Sequence, residues 1–276
     1  MAHVKPIPIG KKPNLSKLNP SVDGGLDKEA ALAKTEELGR ELNDLLELLF
    51  AAGKHSLLIV LQGMDTSGKD GTIRGLLRYS NAQSLKVWPF KVPTPEELSH
   101  DFLWRVHSKT PGKGNIAIFN RSHYEDVLVV RVHELAPMEI WSKRYEQINH
   151  FESLLAAANT IIVKFFLHIS KKEQEERLLA REQESEKSWK LSVGDWKERE
   201  FWGDYERAYE DAVELCSSEN APWYVVPSNH KWFRDLAATE VLLETLRPFK
   251  QGWEASLESL GEEQKRLIEE YRSAPK

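Results

Sequence analysis

The sequence predicts an α/β fold in which a five-stranded, mostly parallel sheet carries helices on both faces. Two observations support this prediction: five short apolar runs alternate with helical patterns, and a glycine-rich loop directly follows the first run. The runs are continuously apolar rather than alternating, which is typical of strands that are covered on both sides. They lie at 56–62, 85–90, 115–120, 160–169 and 223–228.

The helical segments are recognised by apolar residues that share one face and by capping residues. Lys28–Ala52 has leucines at 38, 42, 45, 46 and 49 on one face, and Gly53 is a helix-stop signal. A second helix, Thr72–Tyr79, follows the glycine-rich loop, and a third is expected to run from Thr94-Pro95 through Arg105, with Trp104 in the core. Later helices are predicted from Ser170 onward, at 231–246 and at 254–276.

Length and composition restrict the class of protein. The 276 residues suit an N-terminal arm at 1–27, one main domain at 28–250 and a charged helical tail at 251–276 that could pack on another subunit. A net charge of -5 argues against a general nucleic-acid binder. No segment approaches the ~18 consecutive apolar residues of a membrane span. Cys216 is the only cysteine, which favours a reducing cytoplasm and a packing role for this side chain.

The strongest functional signal is a phosphate-binding loop between the first strand and the following helix. It reads Gly63-Met64-Asp65-Thr66-Ser67-Gly68-Lys69-Asp70-Gly71-Thr72. Its glycines let backbone N–H groups turn toward phosphate oxygens, and the helix N-terminus and Lys69 add positive charge. The usual Ser or Thr after the lysine is replaced by Asp70, so Asp65, Asp70 or Thr72 must contact the metal, or the metal lies elsewhere.

A second signal follows the third strand, where a metal-binding acid is common in P-loop folds. Asn120 occupies that position and could orient a hydrated metal or an acceptor oxygen. Arg121 could neutralise a transferring phosphoryl group, or could form a surface ion pair with Glu125. Glu125 and Asp126 could either cap a helix or hold Mg²⁺, and His123 is read as a packing residue.

Two further segments supply candidate phosphate contacts. Lys91 and Arg105 follow the second strand at the ligand-binding edge of the sheet, where they contact phosphate or simply face solvent. A polar stretch at about 182–198 is interpreted as a lid that delivers the cations Arg181 and Lys190 to the reaction.

The chain resembles the second polyphosphate kinase family over nearly all of residues 28–248. The matching motifs are GMDTSGKDGTIR, FKVPTPEELSHDFLWR, FNRSHYEDVLVVRV, SWKLSVGD and APWYVVPSNHKWFRDL. This resemblance implies a thymidylate-kinase-like P-loop kinase fold with a lid, and functional roles for Asp65, Lys69, Arg121 and Arg181. Asn120 resembles the family's third class, which acts on both nucleoside mono- and diphosphates. The segment EQES at 182–185 departs from the family pattern.

The resemblance also implies an activity with its substrates and cofactor. The expected reaction is phosphoryl transfer between inorganic polyphosphate and AMP or ADP to give ADP or ATP, with GMP and GDP as further acceptors. The expected cofactor is Mg²⁺, with Mn²⁺ as an alternative, and the expected assembly is a homodimer or homotetramer. No nucleic acid or membrane is expected as a partner. An ATP-dependent kinase for a small acceptor and a nucleotide-binding module without turnover are the rival hypotheses.

Overall fold

The computed structural model describes residues 1–183 and 193–274, and its five strands form one fully parallel sheet. Strands β1 to β5 are Ser56–Gln62, Leu85–Pro89, Ile116–Asn120, Thr160–His168 and Trp223–Pro227. Their order is β2-β3-β1-β4-β5, which puts β1 at the centre. The predicted α/β class is confirmed, and every predicted strand agrees with the observed one to within one residue at each end.

The helices are as follows. Helices α1 to α12 are Lys28–Ala52, Lys69–Leu77, Pro95–Leu98, Trp104–His107, Val129–Val132, Met138–Trp141, Arg144–Ala157, Lys171–Gln183, Val193–Glu198, Trp202–Cys216, Lys231–Leu246 and Lys250–Ser273. Short 3₁₀ turns lie at Leu15–Lys17, His123–Asp126, Arg199–Phe201 and Arg247–Phe249. None of the helices within 1–183 and 193–274 combines the length and apolarity needed to cross a membrane.

Two apolar cores lie on opposite faces of the sheet. Along β1, Leu57, Ile59 and Leu61 belong to a core shared with α1, α2 and α11. Leu58 and Val60 belong to the other core, which includes residues of α7 and α10. This alternation follows from the two-residue period of a strand, and it explains why a central strand must be apolar on both sides.

Helix α1 begins and ends at the predicted residues. Asp27 caps its first turn by accepting a hydrogen bond from the Ala30 N–H, and Gly53 ends it in the left-handed region, at φ 58°. Helix α2 begins three residues earlier than predicted, at Lys69 inside the glycine-rich motif. The last residues of that motif are therefore helical, and the loop proper ends at Gly68.

The single helix predicted from Thr94 through Arg105 is wrong. The structure has two short helices, α3 and α4, because the Asp101 side chain accepts a hydrogen bond from the Leu103 N–H and starts a new turn. Trp104 was expected in the core, yet 42% of its surface is exposed and its ring stacks on His100.

Residues before α1 run over the surface of the domain. Ala2, Val4 and Leu15 are buried against it, and the Ile7 N–H donates a hydrogen bond to the Trp223 carbonyl on β5. Cys216 is fully buried, as expected for a packing residue. At the other end of the chain, α12 is attached through the buried side chain of Trp253.

Candidate active site

At two positions in the loop between β1 and α2, the backbone adopts a conformation that favours glycine. Gly63 has φ 150° and Gly68 has φ 107°. A Cβ atom on Gly63 would lie 2.7 Å from the Leu167 carbonyl oxygen, and one on Gly68 would lie 2.0 Å from Nη1 of Arg234. The loop is thus closely packed from behind, and its open side leads into the first turn of α2, whose N–H groups favour anions.

Lys69 extends back across this loop. Its Nζ donates hydrogen bonds to the carbonyl oxygens of Gly63 at 2.7 Å and Met64 at 3.2 Å. Burial, together with the nearby Arg121 guanidinium, lowers the pKa of Lys69 to about 8. A lysine in this setting still carries a positive charge at neutral pH, and it holds that charge directly over the loop.

Asn120 and Arg121 are placed beside the loop because β3 is the neighbour of β1. The Asn120 amide donates a hydrogen bond to Asp70 Oδ1 at 3.0 Å. Arg121 has a left-handed backbone, at φ 62°, and its guanidinium contacts Asp65 at 2.5 Å and Glu125 at 3.2 Å. The expected ion pair with Glu125 therefore exists, but it is part of a bridge that also reaches the P-loop carboxylate of Asp65.

The two acidic residues after β3 form ion pairs with arginines, and neither ion pair caps a helix. Glu125 contacts Arg121, and Asp126 contacts Nη1 of Arg144 at 2.9 Å. Burial raises the pKa of Asp126 to about 6, although Arg144 opposes this effect. The second oxygen of Glu125, Oε1, is buried with no hydrogen-bond partner among the residues that the structure describes.

Lys91 and Arg105 lie at the edge of the same region, with different exposure. Lys91 is exposed, as expected for a charge that faces solvent. Arg105 is only 7% exposed, so the alternative of a solvent-facing charge is wrong for this residue. Its guanidinium donates a hydrogen bond to the Lys91 carbonyl at 2.9 Å, lies over the Phe90 ring and approaches Glu97 at 3.5 Å.

Helix α8 brings two arginines to the loop. Arg181 contacts Asp195 of α9 at 3.2 Å, so the two helices that flank residues 184–192 are joined by an ion pair. Lys190 and most of the expected lid lie outside the described residues. Arg177 was not selected from the sequence, yet it donates to the carbonyls of Thr66 at 2.8 Å and Ser228 at 2.6 Å and ties the loop to the end of β5.

Two cavities open at this edge of the sheet and share a wall. The first, of about 560 Å³, lies on the P-loop; eight of its eighteen lining residues are lysine or arginine and three are aspartate. The second, of about 770 Å³, has an apolar wall that includes Phe90 and Leu98 together with acidic and basic side chains. Asp65 and Arg121 line both cavities. Groups bound in the two cavities would therefore meet beside these two residues.

Most predicted site residues line one of these cavities. The basic cavity includes Asp65, Thr66, Ser67, Gly68, Lys69, Asp70, Gly71, Asn120, Arg121 and Arg181, and the second cavity includes Gly63, Met64, Asp65, Lys91, Arg105, Arg121 and Asp126. Thr72 lines neither and is buried, where its hydroxyl approaches the Gly68 carbonyl at 3.4 Å. It is therefore a helix residue rather than a lining residue.

Several basic cavity residues were missed. Arg234, which is 3% exposed, packs against Gly68 and Gly71, and Lys231, Arg74 and Arg78 line the same cavity. A usable signal was present, because Lys231 and Arg234 begin the helix that follows β5 at the carboxyl edge of the sheet.

The donor set around the loop fits a divalent cation whose shell is completed by phosphate oxygens and water. Within the described residues no group of three or more histidine, cysteine or acidic side chains is arranged to hold a metal alone. However, the hydroxyls of Thr66 and Ser67 are buried beside Asp65 with no partner among those residues. Mg²⁺ typically binds through one or two carboxylates, and substrate phosphates and water supply the other ligands.

A glycine-rich loop between the central strand and a helix, beside an arginine-bearing neighbour strand, defines a P-loop protein of the kinase type. The chain belongs to the polyphosphate kinase 2 family, whose family model matches residues 25–251. The resemblance seen in the motifs is confirmed.

Similar proteins cover most of the chain. An AMP/ADP-polyphosphate phosphotransferase from Meiothermus ruber is 51% identical over 224 residues, which is 81% of this chain and 83% of that protein. An ADP-polyphosphate phosphotransferase from Rhodopseudomonas palustris is 46% identical over 224 residues, 77% of this chain and 78% of that protein. The crystal structure of polyphosphate kinase 2 from Arthrobacter aurescens superposes with a TM-score of 0.84 at 40% identity, covering 91% of this chain and 93% of that one.

Proposed function

We propose that this protein is a polyphosphate-dependent nucleotide kinase that transfers a terminal phosphoryl group from inorganic polyphosphate to AMP or ADP, giving ADP or ATP. The observation that carries the proposal is the pair of cavities that meet at Asp65 and Arg121. The printed names of the relatives from Meiothermus ruber and Rhodopseudomonas palustris support the substrate class.

The basic cavity suits the polyphosphate chain. Its excess of lysine and arginine and its position on the P-loop favour a ligand that is charged along its whole length. A nucleoside would not offset this excess of positive charge, because its base and sugar are neutral.

The second cavity suits the nucleotide. Its apolar wall, which includes Phe90, Val92, Pro93 and Leu98, can accept a base, and Lys91, Arg105 and Arg144 can contact phosphates. Five acidic residues also line this cavity and would repel a long polyanion. The acceptor phosphate would then point toward Arg121, where the two cavities meet.

In the proposed reaction, the chain's own residues bring two anions together. Lys69, Arg121 and Arg181 offset the charge of the approaching phosphates, which is the main catalytic requirement in phosphoryl transfer. Asp65 orients the reacting groups and, with the hydroxyls beside it, would hold Mg²⁺, or Mn²⁺ in its place. The bound cation would supply further charge neutralisation. A strong general base is unnecessary because a phosphate acceptor is already ionised near neutral pH.

Other parts of the proposal concern organisation. We take residues 1–27 as an arm, 28–250 as the kinase domain with a lid at about 182–198, and 251–276 as a tail. Leu260 and Leu267 on the exposed side of α12 would contact another subunit in a homodimer or homotetramer. The single cysteine favours a cytoplasmic location, and Asn120 favours use of both AMP and ADP.

The decisive experiment supplies purified protein with Mg²⁺, long-chain polyphosphate and AMP, without ATP, and analyses the products. ADP followed by ATP is expected from the wild type and no product from Lys69→Ala. The control Lys265→Ala, on the face of α12 opposite Leu260 and Leu267, should keep wild-type rates. Products that form only from ATP would identify an ATP-dependent kinase. Nucleotide binding without transfer from any donor would identify a binding module, and either outcome overturns the proposal.

A further inference from the structure

One face of α2 combines glycine with arginine. Four residues at positions i, i+3, i+4 and i+7 share this face and all line the basic cavity. They are Gly71, Arg74, Gly75 and Arg78. The opposite side of the helix is buried in the core through Ile73 and Leu76. We call the four residues the Gly–Arg face.

The two arginines of this face are available to a ligand. Both side chains are exposed, and neither forms a hydrogen bond or an ion pair within the described part of the chain. The nearby carboxylate of Asp235 is already paired with Arg234 at 2.6 Å. Burial raises the pKa of Asp235, and the charges of Arg234, Arg78 and Arg74 oppose this effect.

The Gly–Arg face leads away from the reacting end of the cavity. A helix rises about 1.5 Å per residue, so Arg74 and Arg78 lie roughly 7 Å and 13 Å along the axis from Lys69. Arg234, packed on Gly68 and Gly71, continues the positive charge between the P-loop and these arginines. The distance from Lys69 to Arg78 corresponds to several linked phosphate units, whereas the transferred phosphoryl group is only one unit.

The glycines of this face have a use as well. Glycine is a poor helix former, so two glycines within nine residues weaken α2. A Cβ on Gly75 would meet only Asp235, at 3.8 Å, so packing against the protein does not require glycine there. The absence of side chains instead leaves room for a ligand to lie against the helix between the two arginines.

We propose that the Gly–Arg face binds the part of the polyphosphate chain that extends beyond the P-loop, and that Arg74 and Arg78 make the enzyme prefer long chains to short ones. This inference rests on the proposed function. The phosphates nearest the reaction are held by the P-loop, so short donors gain nothing from the distal arginines, whereas each added phosphate of a long chain reaches one more cation.

The test compares Arg74→Gln/Arg78→Gln with the wild type, using long-chain polyphosphate as the donor and tripolyphosphate as a competitive inhibitor. Loss of two charge-assisted contacts is expected to raise KM for the long chain at least about tenfold. The inhibition constant of tripolyphosphate and kcat should stay nearly unchanged. The slope of log KM against log salt should fall by about one for each arginine removed.

Two controls separate charge from fold. Arg74→Lys/Arg78→Lys keeps the charge and should restore most of the long-chain preference. Arg266→Gln, on a face of α12 that points away from Leu260 and Leu267, should behave as wild type. An equal rise in KM for the long chain and in the inhibition constant of tripolyphosphate, or no change in the salt slope, would overturn the inference while the wild type remains active. A wild type that transfers nothing from polyphosphate would instead overturn the proposed function.

Discussion

A buried ion pair beneath the active site provides the sharpest test of how the fold is stabilised. Lys164 on β4 and Glu152 on α7 are 0% and 2% exposed, and their charged atoms lie 2.5 Å apart. Lys164 also donates to the Tyr124 hydroxyl and the Cys216 carbonyl. Glu152 binds His123 and Tyr124, which lie in the turn directly after Arg121.

Lys164→Met would leave the Glu152 carboxylate in an apolar interior. Breaking one partner of a buried pair typically destabilises a protein by about 3–5 kcal/mol. For a chain of this size each kcal/mol lowers Tm by roughly 2–4 °C, so we expect a decrease of about 6–20 °C. The exposed control Lys172→Met, whose nearest carboxylate is 3.6 Å away, should stay within about 0.5 kcal/mol of wild type.

The double variant Lys164→Met/Glu152→Gln tests the reason for that loss. Glutamine removes the unpaired charge yet still accepts hydrogen bonds from Tyr124 and His123, so most of the stability should return. Urea unfolding of the four proteins gives the coupling energy. If the double variant lost as much stability as the two single variants added together, the uncompensated charge would not be the cause, and the reasoning would be wrong.

The pH dependence gives the same test a second readout. Burial opposes ionisation of Glu152, but Lys164 and His123 lower its pKa below the ordinary value of 4.5 in the wild type. The wild type therefore keeps this contribution above pH 4.5 and loses it only as the pH falls through the lowered pKa. In Lys164→Met the charge that most opposes burial is gone, so burial should raise the pKa of Glu152 although His123 still opposes it. The stability deficit of this variant should therefore shrink as the pH falls from neutral toward 4.5.

Three further predictions concern the P-loop. Because Lys69 loses its charge above a pKa of about 8, kcat/KM for polyphosphate should fall about tenfold per pH unit beyond that value, and a flat alkaline profile would contradict this. Arg121→Lys cannot bridge Asp65 and Glu125 with one planar group, so kcat should fall about 100-fold in steady-state assays with KM little changed; equal kcat would contradict it. Gly68→Ala should lower both Tm and activity, because φ is 107° and the new Cβ would clash with Arg234. The control Gly252→Ala has open space around it and should lower neither.

The sheet could be predicted closely because a strand buried on both faces leaves a continuous apolar run. The phosphate-binding loop could also be predicted from the sequence, since its strand, glycines, lysine and helix are contiguous in the chain. Helix capping was harder to predict. The Asp101 side chain accepts a hydrogen bond from the Leu103 N–H, which competes with continuation of the helix. The spacing of apolar residues gives no sign of this local hydrogen bond.

Contacts between residues that are distant in the chain were the hardest part of the site to predict from the sequence. Arg177 acts on the P-loop through the carbonyl of Thr66, more than 100 residues away in the chain, so a local pattern cannot reveal this contact. Arg234 packs on Gly68 across a similar gap in the chain, and only its place at the start of the helix after β5 pointed to the cavity. Lys164 could have been noticed, because it is the only lysine, arginine, aspartate or glutamate inside the predicted apolar run 160–169. A buried lysine of this kind requires a partner, although the sequence alone did not identify Glu152.

The common wall of the two cavities has a consequence for kinetics. On the proposed assignment, donor and acceptor occupy different cavities and can face each other only beside Asp65 and Arg121. Both substrates must then be bound at once, and the phosphoryl group passes directly without residing on a side chain. Double-reciprocal plots should therefore intersect rather than run parallel, and since both partners end in phosphate, the same arrangement would run in reverse when ATP is abundant.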